Sequence, residues 1–294
     1  MSTIAAPRAN VTDRSIQAAK SIPFFAVHLG ALAGVLALGW SWKGFAIAVA
    51  FYYIRMFGVT AGYHRYFSHR SFHTSRPMQL FFALLAMSSS QKGVLWWAAH
   101  YRTHHKYSDH EGDKHSVLLD GFLWSHVGWI LSKQNDGTDE SKVRDLTKYP
   151  ELVWLDKHWW TVPTALGLGS LAIGGWYGLV WAFLVSTTLL WHGTFTINSL
   201  THMFGRRRYV TTDNSRNSAL LAIITMGEGW HNNHHYYQRS VRQGFFWWEL
   251  DPTFYVLRLF AALGLVWDLH PPPQHVIESN RLPKGAGLLA APPR

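Results

Sequence analysis

Long apolar runs alternate along this chain with polar segments crowded with histidine and basic residues. Residues 21–40 (SIPFFAVHLGALAGVLALGW) are about long enough to cross ~30 Å of hydrocarbon as a helix, with His28 the one awkward position. A short Ser-Trp-Lys-Gly turn leads to a second run over 45–62, which carries Arg55, costly at mid-membrane unless it faces protein. Residues 78–97 begin apolar and turn serine-rich, which predicts a helix lying at the membrane surface. Residues 159–173 and 178–197 form a second apolar hairpin around Gly174-Gly175, and 245–268 predict one more apolar or amphipathic helix. Between these runs, 106–157 read as a water-exposed connection with short helices around 121–132. The pattern predicts an all-α integral membrane protein: four transmembrane helices in two hairpins (21–40, 45–62, 159–173, 178–197) with a helical cap built from 63–158 and 198–270. Residues 1–20 are polar and lack a signal-peptide core; 271–294 are rich in proline and glycine and are expected to be disordered.

Composition sharpens this picture at three points. The 294 residues include no cysteine, which excludes disulfides, thiolate-bound zinc, iron–sulfur clusters and thiolate-ligated haem. Sixteen tryptophans suit a chain that sits at membrane–water boundaries. The formal net charge of +10 would point a soluble protein toward nucleic acid. Next to long apolar runs it points instead to anionic headgroups, a phosphate-bearing substrate or an acidic redox partner, and no nucleic-acid partner is expected. Nearly all the basic residues fall on the side that carries the polar segments. The positive-inside rule therefore puts both termini and the histidine clusters in the cytoplasm of a multi-pass membrane protein.

The histidines carry the chemistry. His64 and His69, then His100, His104 and His105, then His231, His234 and His235 form three clusters, with Asn198 and His202 just upstream of the last. On a helix, residues three or four apart share a face, so His100 with His104, and His231 with His234, are each expected to serve one metal. The adjacent His105 and His235 point about 100° away and can reach a second metal. His64 and His69, five apart, do not share a face of a straight α-helix, so the membrane helix is expected to end near His64 and bend. Nine imidazoles exceed the needs of one zinc site and fit two metals of higher coordination, with Asn198 filling a place directly or through water. Lone histidines elsewhere (His28, His73, His110, His126, His158, His192, His270, His275) read as structural or solvated. The aromatic run 245–248 reads as an interfacial anchor, and 206–208 as a headgroup contact or solvated loop.

In the strings TAGYHRYFSHRSFH, HYRTHHKYSDHEGDKHS, FLWSHVGWIL, NSLTHMFG and TTDNSRNSALLAIITMGEGWHNNHH, over roughly residues 20–270, the chain resembles the membrane fatty acid desaturases of the stearoyl-CoA (delta-9) group. The resemblance implies a four-span body under a cytosolic cap with two iron ions. It implies oxygen-dependent conversion of a saturated acyl chain to a cis-monoene, with a membrane acyl hydroxylase as the runner-up. The metal ligands it implies are His64, His69, His104, His105, His202, His231, His234 and His235, with Asn198 acting through water. Family members usually have a histidine three before the doublet. That position is Tyr101 here, and His100, one earlier, is assigned as the ninth ligand. The resemblance implies that Gln91, Trp97 and Thr194 lie at the bend of a substrate tunnel; its apolar floor is expected on the second helix, around 51–57. Ala99 and His100 stand where animal acyl-CoA desaturases have an Arg-Asp pair, so the implied carrier is CoA, phospholipid or acyl carrier protein. With no fused haem domain, the two electrons are expected from an external ferredoxin, rubredoxin or cytochrome b5.

Overall fold

A computed structural model describes residues 14–283; the expectations for 1–13 and 284–294 lie outside the described residues. The structure is mostly helical. In chain order its α-helices are α1 (Ala18–Leu38), α2 (Trp42–Phe57), α3 (Arg76–Met87), α4 (Val94–Tyr107), α5 (Val117–Asp120), α6 (Trp129–Leu131), α7 (Arg144–Thr147), α8 (Pro150–Lys157), α9 (Thr161–Gly178), α10 (Ser186–Asn198), α11 (Ala219–Ile224), α12 (His231–Tyr236), α13 (Pro252–Ala262) and α14 (Gln274–Glu278). A two-residue antiparallel ladder, β1 (His73–Thr74) with β2 (Val266–Trp267), ties the end of the first histidine segment to the C-terminal region.

Among the described residues three helical stretches are long and apolar enough to cross a membrane: Ala18–Leu38, Trp42–Ser68 and Thr161–His202. The last has 42 residues and is broken at Gly175, whose φ of 58° and ψ of −154° lie outside the helical region. Glycine is required there, since a side chain is strained at such a φ. These helices pack through small residues, as helices in lipid do when close backbone approach supplies the attraction. A Cβ on Gly44 of α2 would stand 2.3 Å from the Trp181 ring, and one on Gly34 of α1 would stand 2.4 Å from Val180. Segment 179–185 is thus the post on which α1, α2 and α9 all lean. Arg55 resolves its awkward position by burial against protein. It donates to the Ser88 carbonyl at 2.9 and 2.6 Å, to Ser186 Oγ at 2.8 Å and to Thr187 Oγ1 at 2.9 Å.

Four expectations are corrected. The helix after α2 does not end at His64 but widens into a π-helix over Gly58–Ser68, closed by the His69 amide donating to the His64 carbonyl at 3.2 Å. The predicted surface helix 78–97 is two helices, because Ser88–Gly93 turns the chain and α4 starts afresh. There the half-buried Asp156 Oδ1 accepts both the Leu95 and Trp96 amides at 2.9 Å. Within 245–268 only α13 is helical, preceded by an irregular aromatic segment. The C-terminal region expected to be disordered is packed as far as 283. Tyr209 Oη donates to the Ile277 carbonyl at 3.0 Å and the Val210 amide to the Asn280 carbonyl at 3.0 Å, while Pro271–Pro273 stiffen the approach to α14.

Candidate metal centre

The eight histidines implied by the resemblance converge as two groups of four, buried or nearly so. One holds His64, His69, His105 and His234; the other holds His104, His202, His231 and His235. Within each group the facing ring nitrogens all lie within 4.8 Å of one another. In the first group His64 Nε2 lies 3.0 Å from His234 Nε2 and 3.1 Å from His69 Nε2, while His105 Nε2 lies 3.0 Å from His234 and 3.2 Å from His69. In the second, His202 and His231 Nε2 are 3.1 Å apart.

Local helix geometry explains the sorting. The π-helix has i to i+5 hydrogen bonds, and that wider turn brings His64 and His69 to one face, which a regular α-helix would not. On α4 the adjacent His104 and His105 diverge by about 100° and feed different groups. On α12 the pair that stays together is His231 with His235, four apart; His231 and His234, three apart, go to different groups. The predicted pairing of His231 with His234 is therefore corrected.

Carboxylates fix the far side of the rings. His104 Nδ1 meets Asp113 Oδ1 at 2.9 Å, His202 Nδ1 meets Asp109 Oδ2 at 2.8 Å, His235 Nδ1 meets Asp213 Oδ2 at 2.7 Å, and His64 Nδ1 lies against Glu228. Arg65, fully buried, holds Glu228 and Asp251 together. A ring whose Nδ1 proton is donated to a carboxylate presents a lone pair at Nε2. Several such lone pairs aimed at one point about 3 Å apart repel unless a cation sits among them. His235 Nε2 is buried with no hydrogen-bond partner. Burial first, then neighbouring imidazoles, push His105, His231 and His234 well below the usual histidine range, so these rings are neutral and able to ligate. For Asp113 and Asp213 burial acts upward, but His104 and His235 respectively outweigh it and the net shift is down. The donor set fits two metal ions, with carboxylates orienting the ligands from behind.

The structure places His100 in neither group. Its Nδ1 meets the Trp96 carbonyl at 2.9 Å, its ring stacks on Trp96 at 4.2 Å, and burial holds it down to about 4. Tyr101 takes the neighbouring face and sets its ring 4.6 Å from His64 and 4.8 Å from His105, so it walls the first group. Asn198, at the end of α10, lines the adjoining cavity. Sequence reasoning passed over His115. Its ring stacks on His104 at 4.2 Å and it joins His104 and Asp113 in a third, overlapping cluster. The available signal was Asp109, Asp113 and His115 following the second histidine cluster at short intervals. Three histidines read as isolated are also joined: His28 Nε2 lies 3.1 Å from His192 Nε2, and His192 Nδ1 lies 3.0 Å from His126 Nε2.

Beside the two groups runs a cavity of about 520 Å³. Gln91, Trp97 and Thr194 all line it, and Gln91 Nε2 donates to Thr194 Oγ1 at 3.0 Å, joining the turn before α4 to α10. Its apolar part is formed by Leu168, Leu171, Leu179 and Phe183, between α9 and segment 179–185. No residue of 51–57 lines it, which corrects the expected floor. Tyr52 instead turns toward α10 and α11, where its hydroxyl donates to the Ile224 carbonyl at 2.7 Å.

Fold and site define a helical protein with membrane-length helices and two four-imidazole groups that could each hold a metal ion, set beside an apolar cavity. The fatty acid desaturase family model matches residues 19–269. The chain is 36% identical over 263 residues to an sn-1 stearoyl-lipid 9-desaturase of Anabaena variabilis, covering 89% of this chain and 96% of the relative. It is 37% identical over 259 residues to a protein of the same description from a Synechocystis species, covering 85% and 79%. An acyl-CoA C20 Delta5-desaturase of Anemone leveillei is 35% identical over 241 residues, covering 79% and 75%. The chain belongs to the fatty acid desaturase family and is an oxidoreductase of fatty acyl chains.

Proposed function

We propose that this protein inserts a cis double bond between carbons 9 and 10 of a saturated acyl chain carried on a membrane lipid. The reaction consumes one O2, two electrons and two protons, and releases two waters. What carries this reading is the placement of two four-imidazole groups beside an apolar cavity whose wall is drawn in by the Gln91–Thr194 hydrogen bond. Likeness to proteins described as stearoyl-lipid 9-desaturases supports the acyl-lipid carrier and the position of the bond. The eight histidines would hold a pair of iron ions; imidazole suits iron, and zinc lacks the redox chemistry that oxidation of an unactivated methylene needs. When bound, that pair supplies the oxidising equivalent from O2. The chain's own residues do the rest. Trp97, Gln91 and Thr194 hold the acyl chain so that one methylene pair faces the imidazole groups, which is orientation in place of random encounter. Tyr101 and Trp97, stacked at 4.6 Å, shield the first group from water.

The 42-residue helix, broken at Gly175, supplies two spans, making four in all. The basic cap and both termini then lie in the cytoplasm. Two electrons come from an external ferredoxin, rubredoxin or cytochrome b5-type protein drawn to the positive cap. The test is iron content and product together. Purified protein should hold about two irons, and a host lacking its own desaturase should accumulate 9-monoene lipid with the wild type but not with His234→Ala. A hydroxylated chain as the only product would overturn desaturation while leaving the centre intact.

A further inference from the structure

The cavity is only partly enclosed, and its exposed lining residues show where it reaches the outside. Lys20 lies at the start of α1, Trp160 just before α9 and Leu168 within α9. Helices α1 and α9 both pack on segment 179–185, and both line the cavity. The opening is therefore a slot in the side of the apolar body, between α1 and the first part of the Thr161–His202 stretch.

At the polar end of this slot two lysines converge on one carboxylate. Lys92 Nζ lies 2.6 Å from Asp136 Oδ1, and Lys20 pairs with Asp136 Oδ2. All three line the cavity, so two ammonium groups share a single counter-charge there. Just inside, two hydroxyls are buried without partners: Ser21 Oγ, on a residue 2% exposed, and Ser90 Oγ. Trp129 Nε1, also buried and lining the cavity, has no partner either. Buried donors without acceptors are rare and costly. A saturated tail offers them nothing, whereas the ester oxygens at the head of an acyl lipid do.

We propose that Lys20 and Lys92 form a phosphate-binding mouth for a membrane glycerophospholipid, whose acyl chain enters sideways between α1 and α9. The lipid phosphate takes the place of Asp136 on the lysines, and its ester oxygens meet Ser21, Ser90 and Trp129. This rests on the acyl-desaturase reading and names the head that stays outside while the tail is threaded. A soluble carrier such as CoA would have no need of a slot flanked by lipid-facing helices. The phosphate chemistry is common to both, so the test must separate the sources.

Full-length protein in neutral detergent is titrated with phosphatidylglycerol bearing dibrominated stearoyl chains, with a galactosyl diacylglycerol bearing the same chains, and with stearoyl-CoA as competitor. Quenching of the cavity tryptophans is read. The phosphate-bearing lipid should bind more tightly than the galactolipid. The double variant Lys20→Gln/Lys92→Gln should weaken it roughly tenfold and leave the galactolipid unchanged. Asp136→Asn should act in the opposite direction and tighten phosphatidylglycerol severalfold, which loss of a merely structural ion pair would not do. Equal affinities for the two lipids, or weaker binding by Asp136→Asn, would overturn the proposal. So would displacement of the bromolipid by stearoyl-CoA that is itself lysine-dependent, since the phosphate would then belong to CoA. Monoene formation on stearoyl lipid is scored separately. Its absence with charge-dependent quenching intact sinks the desaturase reading and spares the mouth, and the reverse result does the opposite.

Discussion

The four carboxylates behind the histidines make a prediction at single residues. Asp213 accepts from His235 Nδ1 and also caps the turn through the Ser215 amide at 2.9 Å. Asp213→Asn leaves the shape but removes the charge that fixes the imidazole tautomer. Metal affinity of the second group should fall about 10–100-fold, and metal analysis after dialysis should show the protein dropping from two ions toward one. His100→Phe should retain both ions, because His100 bonds to the Trp96 carbonyl and points at neither group; loss of an ion would return it to the ligand set. Residue clusters were legible in the sequence because imidazole-rich strings are rare. Which ring goes to which group was not, since it depends on a π-turn and on whether α12 aligns residues three or four apart. His115 was missed for a related reason: a single histidine in a charged loop carries no periodicity.

Among elements, the π-helix over 58–68 is held against α3 by glycines. A Cβ on Gly58 would stand 2.6 Å from the Leu85 carbonyl oxygen, and one on Gly62 would stand 2.9 Å from that of Phe82. Backbone cannot step aside as a side chain can. Gly62→Ala should therefore destabilise by about 1–3 kcal/mol, seen as a lower melting temperature in detergent, and should loosen the first group by moving His64 and His69. Gly174→Ala, with nothing within 4 Å of the added Cβ, should change the melting temperature little. The apolar runs 21–40, 45–62, 159–173 and 178–197 each overlap a helical stretch (α1, α2 with the start of the π-helix, α9, and segment 179–185 with α10), because length and hydropathy mark such stretches, but not where one kind of helix passes into another. The break at 88–93 was marked by its serines, but the capping that restarts α4 comes from Asp156, some sixty residues on, and no local pattern reports it. The floor of the cavity was misplaced on α2 for the same reason: which helix faces the void is decided by the tertiary packing of glycines on Val180 and Trp181.

For the whole molecule, the eight imidazoles come from segments scattered between residues 64 and 235, so an ion bound among them ties the apolar body to the polar segments. A ligand that binds only the folded state stabilises it by RT ln(1 + [L]/Kd), about 2.7 kcal/mol at a hundredfold excess over Kd. Chelation should thus lower the melting temperature of the entire protein in one transition, and added metal should restore it. Acid should act in the same direction. His105, His231 and His234 are held below the ordinary histidine range by burial first and neighbouring rings second, so their folded pKa lies under their unfolded one. Their contribution is complete above about pH 6.5 and is lost as pH falls below that value, where the unfolded chain takes up protons that the native site refuses. Metal competes for the same lone pairs, so its release should follow acidification over that range. Melting curves recorded from pH 8 to pH 5 with and without excess metal check this. The metal-loaded protein should lose more stability on acidification than the stripped one, and parallel curves would show that the imidazoles are not the seat of the bound ions.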